Sequence, residues 1–125
     1  MNTMEVIYKS KFADVYYVNN KNKVLVVWKS YCELDTYRTI LNHALDVIKL
    51  HKCDYVADTR NGFIDNPADT LWVKDYFMPK AKEYGATKIY FIIDKNNSLK
   101  EELEGQENNS NDLLEFKYIF DIEEI

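Results

Sequence analysis

The densest chemistry in the sequence lies in one octapeptide, Asp58-Thr59-Arg60-Asn61-Gly62-Phe63-Ile64-Asp65. It leaves the apolar run Tyr55-Val56-Ala57 and leads into Asn66-Pro67, a helix start. In open parallel sheets, ligands and partners are met beyond the carboxyl ends of the strands, which is where this loop would lie. Asp58, Arg60 and Asp65 concentrate charge there. Arg60 is one of only two arginines in the chain, and a guanidinium holds a carboxylate or a phosphate with a rigid fork. One reading has Arg60 pair with Asp58 or Asp65 and lock the loop. Another has the loop meet a protein partner. Asp58 and Asp65 would then engage basic groups, Arg60 an acidic one, and Phe63 would be the apolar anchor. A catalytic reading makes Asp58 a general base and Arg60 an electrostatic anchor, with Asp65 or Tyr76 assisting. A fourth has Trp72, Tyr76 and Phe63 wall a groove beside Arg60 for an anionic or lipid-like ligand. Against it stands plain packing of Trp72 and Phe63 between helix and sheet.

Other chemical signatures are missing. Three glycines leave no room for a phosphate-cradling loop, and there is no Gly-x-Ser-x-Gly elbow. Cys32 and Cys53 do not form a Cys-x-x-Cys pair. Cys53, before an apolar strand, reads as a small core residue. Cys32 reads as exposed near a strand end, with nothing beside it to lower its pKa. His43 and His51 share a rough side of one helix without a carboxylate cluster, so they read as structural rather than metal-ligating. The expectation is a protein without catalytic activity, cofactor or metal.

The elements that must position the loop follow from periodicity. Val6-Ile7-Tyr8 is a short apolar stretch. Phe12–Val18 alternates in the manner of a strand, Asn19–Lys23 is a polar turn, and Val24–Trp28 is apolar on every residue. The two runs predict an antiparallel hairpin whose second arm is covered on both faces. From Leu34 the period becomes helical, with Leu34, Tyr37, Ile40, Leu41, Ala44, Leu45 and Ile48 on one face. Asp35 or Ser30 is the expected cap. Tyr55-Val56-Ala57 is a strand ending in Asp58. Asn66 caps a second helix with Pro67 in its first position. That helix carries Leu71, Trp72, Met78, Ala81 and Tyr84, is bent by Pro79, and stops at Gly85. Lys88–Ile93 is a further buried strand. A capping-box spacing at Ser98–Glu101 predicts a helix, residues 105–114 a polar mobile stretch, and Glu115–Phe120 a last strand. Asp121 caps a closing turn from Ile122 to Ile125, too short to persist unless docked. Helices between strands imply parallel pairing with right-handed crossovers. The fold class is therefore α/β: a mixed, mostly parallel β-sheet of about five strands with helices mainly on one face, forming a single domain over residues 1–125.

Composition agrees. The chain has 125 residues, 46% hydrophobic and 30% charged, with a net charge of −5. Residues 94–125 hold 10 acidic and 3 basic side chains, against 11 and 13 in residues 1–93. This balance disfavours nucleic acid as a partner, since such binding rests on clustered Lys and Arg. It reads as a solvated acidic flank or a patch for a basic partner. No apolar run reaches the roughly 18 residues a membrane span needs. The first residues lack the basic-then-apolar order of a secretory signal, and two cysteines fit a reducing compartment. The expected location is cytoplasmic.

The layout resembles the STAS-like (SpoIIAA-like) superfamily, the fold of bacterial anti-sigma-factor antagonists. The nearer likeness is to small uncharacterised STAS-like proteins of Bacteroidetes and related bacteria. The residues that carry it are Trp28 ending a strand, Tyr55–Arg60, the run Trp72…Pro79…Gly85, Tyr90-Phe91-Ile92-Ile93, and the terminal Phe120–Ile125. In the antagonists a phosphorylatable serine follows an Asp-Ser pair. Here Asp58 matches the aspartate and Thr59 the first serine, while the phosphorylated position falls on Arg60. The resemblance thus implies a regulatory or protein-interaction module without that switch, although Thr59 offers a hydroxyl beside the position. The expected binding residues are Asp58, Thr59, Arg60, Phe63, Asp65 and Trp72, with a protein partner and a possible homodimer.

Overall fold

The computed structural model describes residues 4–61, 66–94 and 114–125. Its elements are β1 (Met4–Lys9), β2 (Ala13–Val18), β3 (Lys23–Trp28), α1 (Leu34–His51), β4 (Asp54–Asp58), α2 (Pro67–Trp72), α3 (Met78–Tyr84), β5 (Lys88–Ile92) and β6 (Glu115–Ile119). A π-turn, Val73–Phe77, joins α2 to α3, and a 3₁₀ turn, Ile122–Glu124, closes the chain. The helix expected at Ser98, the stretch 105–113, and Phe63 and Asp65 lie outside the described residues.

The strands form one sheet in sequential order, β1 to β6. The expected hairpin is present, with Ala13 opposite Trp28 and Val18 opposite Lys23. The short stretch at Val6 adds a third antiparallel strand, so the sheet has six strands rather than about five. The remaining neighbours, β3 with β4, β4 with β5 and β5 with β6, pair in parallel. Sequential order with crossovers of one hand stacks every connecting helix on the same face. The packing agrees: side chains of α1 and α3 share one core with Val15, Val24, Val26, Ala57, Ile89 and Phe91.

The opposite face buries Val18, Leu25, Val56, Ile92 and Ile119 under a different cover, to which Ile122 and Ile125 of the closing turn belong. Asp121 caps that turn through Glu123 N–H at 2.9 Å, and Glu124 reaches back to the N–H of Asp121 at 2.9 Å. Lys21, in the β2–β3 turn, donates to the Ile125 carbonyl at 3.0 Å. The turn is docked by apolar contact and by Lys21, which also lies 4.0 Å from Glu123 Oε2, as its short length demands.

Two helix details depart from expectation. Neither Asp35 nor Ser30 caps α1; its N-cap is Glu33, which makes no side-chain cap bond. Instead Leu34 sits at φ 54°, and its N–H donates to Asp69 Oδ2 of α2 at 2.8 Å. Where a bend at Pro79 was expected, a π-turn precedes the proline. An extra residue in that turn displaces the carbonyl that the pyrrolidine ring would strike. Leu71 faces solvent rather than the core. Gly85 ends α3 at φ 117°, and a Cβ there would lie 3.1 Å from Lys52 Cβ.

Candidate functional site at the carboxyl edge of the sheet

Parallel pairing brings the ends of β3, β4, β5 and β6 to one edge, with the loops that follow β3 and β4 above it. Asp58 is the last residue of β4 and lies opposite Val27 and Ile92. Its side chain is buried, yet both oxygens are engaged. Arg60 donates its Nε and its backbone N–H to Oδ1 at 3.0 and 3.1 Å, and Nη2 to Oδ2 at 2.8 Å. This is the fork geometry of a strong guanidinium–carboxylate pair. The hydrogen bond with Asp58 raises the Arg60 pKa against the opposing effect of burial, and the charges of Asp58, Asp121 and Asp94 add to it. Arg60 therefore ties the loop to the strand it leaves, the bracing arrangement anticipated for it, while its side chain stays 45% exposed.

Thr59 corrects an expectation. It is fully buried, and both its hydroxyl and its N–H donate to the Ile92 carbonyl, at 2.8 and 3.0 Å. The hydroxyl fastens β4 to β5 and offers no open position for modification. Cys32 is likewise buried rather than exposed; burial, and then the charge of Asp69, push its thiol up to about 11. Burial raises Cys53 to about 11 as well, and both thiols are free. His43 stacks on Tyr8 with ring centroids 4.1 Å apart, and His51 on Tyr17 at 3.7 Å, so both serve packing between α1 and the first strands.

The sequence reading missed a second pair at the same edge. Asp69, only 1% exposed, accepts from the Leu34 N–H and from Arg38 Nε at 3.1 Å. Arg38 is the other arginine of the chain. Its guanidinium, not that of Arg60, lies over the Trp72 ring, 5.7 Å from the centroid. Trp72 stacks on Tyr76 at 5.1 Å. Glu33 joins the two loops, accepting from Tyr31 Oη at 2.6 Å and Asn66 Nδ2 at 2.8 Å. These bonds, that of Tyr31 first, lower its pKa. Asn66 meanwhile caps α2 through Ala68 N–H at 2.8 Å, as expected. The rarity of arginine was the one available signal for Arg38. Asp69 carried none, because a first-turn acid is ordinary helix chemistry.

The edge thus combines two buried carboxylates, Asp58 and Asp69, each matched by an arginine, and a third, Asp14, opposite Val27 and matched by Lys29 at 3.0 Å, with a rim of side chains left in solvent. Tyr31, Leu34, Leu71 and Tyr76 are all exposed. An apolar void between α1, the π-turn and β4–β5, lined by Tyr37, Leu41, Tyr55, Val73 and Phe77, measures about 10 Å³, room for one water at most. Among the described residues no group of three or more His, Cys, Asp or Glu is placed to hold a metal ion, and no helix is long and apolar enough to cross a membrane. Comparison with protein-family models, curated proteins and solved structures finds no significant match to this chain.

Proposed function

We propose that the protein is a non-enzymatic regulatory module of the cytoplasm that binds a protein partner through the carboxyl edge of its sheet. The observation that carries this reading is the pairing of the buried Asp58 and Asp69 with the chain's two arginines, the Asp69–Arg38 pair lying against Trp72, which stacks on the exposed Tyr76. Pairing fixes the edge before any partner arrives, so less ordering entropy is lost on binding. Tyr31 and Tyr76, amphipathic and few in torsions, are of the residue type that anchors interfaces. The chemistry expected of a catalytic site has other uses here: Asp58 is held in a fork, the Thr59 hydroxyl serves a backbone carbonyl, and both thiols remain protonated at neutral pH.

A STAS-like ancestry accords with this proposal. That resemblance implies a mixed, mostly parallel sheet with helices mainly on one face and a short closing helix. The bracing role of Arg60 explains how a regulatory surface can persist without the phosphorylated serine. Capture from a cell lysate tests the reading, with wild type beside Tyr76→Ser, whose melting temperature should be nearly unchanged. Loss of a specific captured protein with Tyr76→Ser supports it; an identical set of captured proteins counts against it.

A further inference from the structure

We infer that the closing turn is a displaceable strap, and that the sheet face beneath it takes an acidic segment of a partner protein with two apolar side chains three residues apart. That face buries Val18, Leu25, Val56, Ile92 and Ile119, and the side chains packed on them from beyond the strands are Ile122 and Ile125. Among the described residues, 121–125 make no backbone hydrogen bond to a strand. Their backbone bonds are local, from Glu124 N–H to the Asp121 carbonyl at 3.0 Å and from Ile125 N–H to the Ile122 carbonyl at 3.2 Å. The polar ties to the rest of the molecule run to Lys21, whose Nζ donates to the Ile125 carbonyl at 3.0 Å and lies 4.0 Å from Glu123 Oε2. Release of the turn therefore breaks no ladder of the sheet and uncovers an apolar floor, the pattern of a segment that opens locally.

The strap itself shows what chemistry the face accepts. Ile122 and Ile125 are three apart, which sets them on one side of a 3₁₀ turn, and Asp121, Glu123 and Glu124 accompany them. Lys21 meets that acidity, and Lys23, whose Nζ bonds the Lys21 carbonyl at 3.1 Å, adds a positive charge beside it. The floor is also wider than its cover. Tyr16 and Val27 border it half-buried. Val6 lies opposite Tyr16 and Met4 opposite Val18 on the same side of the sheet, and they are 53% and 41% exposed. A longer segment of the same pattern gains contacts the strap lacks, and these offset the strap's advantage of being tethered, an effective concentration of millimolar order. This site does not rest on the carboxyl-edge reading, and either can fail without the other.

A fluorescent peptide of residues 120–125 is the probe, its binding to the full chain read by anisotropy. Ile122→Ser, which loosens the strap, should bind the probe about tenfold or more tightly than wild type, whose own turn competes. Glu123→Lys, at a side chain 81% exposed, leaves the apolar contacts in place and should tighten binding about threefold, so the test does not depend on Ile122→Ser folding. A probe with serine at both isoleucine positions should bind none of these proteins. Equal binding by wild type and both variants overturns the inference, as does no binding to either variant at millimolar probe, or retention of the serine probe. Self-association of the variants in sedimentation equilibrium without probe also overturns it, because it assigns the face to a second copy.

Discussion

At the scale of single residues, the chain's two arginines pair with Asp58 and Asp69 at the carboxyl edge of the sheet. Breaking one such pair leaves a buried charge without a partner, which commonly costs 3–5 kcal/mol in a dry interior and less when water reaches the pair. Arg60 is nearly half exposed, so Arg60→Ala should lower stability by about 2 kcal/mol, read from urea denaturation. Asp69→Ala removes the acceptor of both Leu34 N–H and Arg38 at a site with almost no exposure, and should cost more, about 3 kcal/mol. Asp14 supplies a pH test. Burial alone would raise its pKa, but the hydrogen bond and charge of Lys29, 3.0 Å away, hold it below the usual carboxylate value. A depressed folded-state pKa adds stability above the unfolded value, about 3.9, that is lost as pH falls through the folded one. Acid unfolding of wild type should therefore steepen below about pH 4, and Asp14→Asn should flatten that part of the profile.

At the scale of elements, the boundaries were legible wherever a local rule operated alone. The hairpin, the Asn66 cap, the Gly85 stop and the capped closing turn all follow from residues within a few positions of one another. The start of α1 was not legible, because its cap is supplied by Asp69, 35 positions away. No periodicity signals a bond across that distance. The same bond holds Leu34 in a left-handed backbone that a leucine adopts at a cost of roughly 1–2 kcal/mol. Leu34→Gly should therefore be neutral or mildly stabilising, despite the poor helix propensity of glycine. At Gly85 the opposite holds. Gly85→Ala combines a positive φ with a close approach to Lys52 and should cost about 1–2 kcal/mol. The misplaced Leu71 has a further reason. The π-turn shifts the helix phase by one residue, so an ideal 3.6-residue stripe drawn from Leu71 to Tyr84 cannot be right at both ends.

At the scale of the whole molecule, the sheet and its one-sided helices were readable because fully apolar strands must be covered on both faces. The sixth strand was harder to count, since β1 is an edge strand with a bulge at Val6–Tyr8 and exposed side chains. Of the residues gathered at the carboxyl edge, Asp58, Arg60 and Trp72 were named from the sequence, but the grouping of Arg38 with Trp72 depends on how α1 and α2 pack. In the proposed function the carboxyl edge is the working surface and the amino-terminal edge is scaffolding. Amide hydrogen exchange on the captured complex tests that claim most directly. Partner binding should slow exchange at Tyr31–Leu34, Asp58–Asn61 and Asn66–Tyr76, and leave the turns at Asn19–Lys23 and Gly85–Thr87 unaltered. Protection confined to those turns, or to the face beneath Ile122 and Ile125, would contradict it.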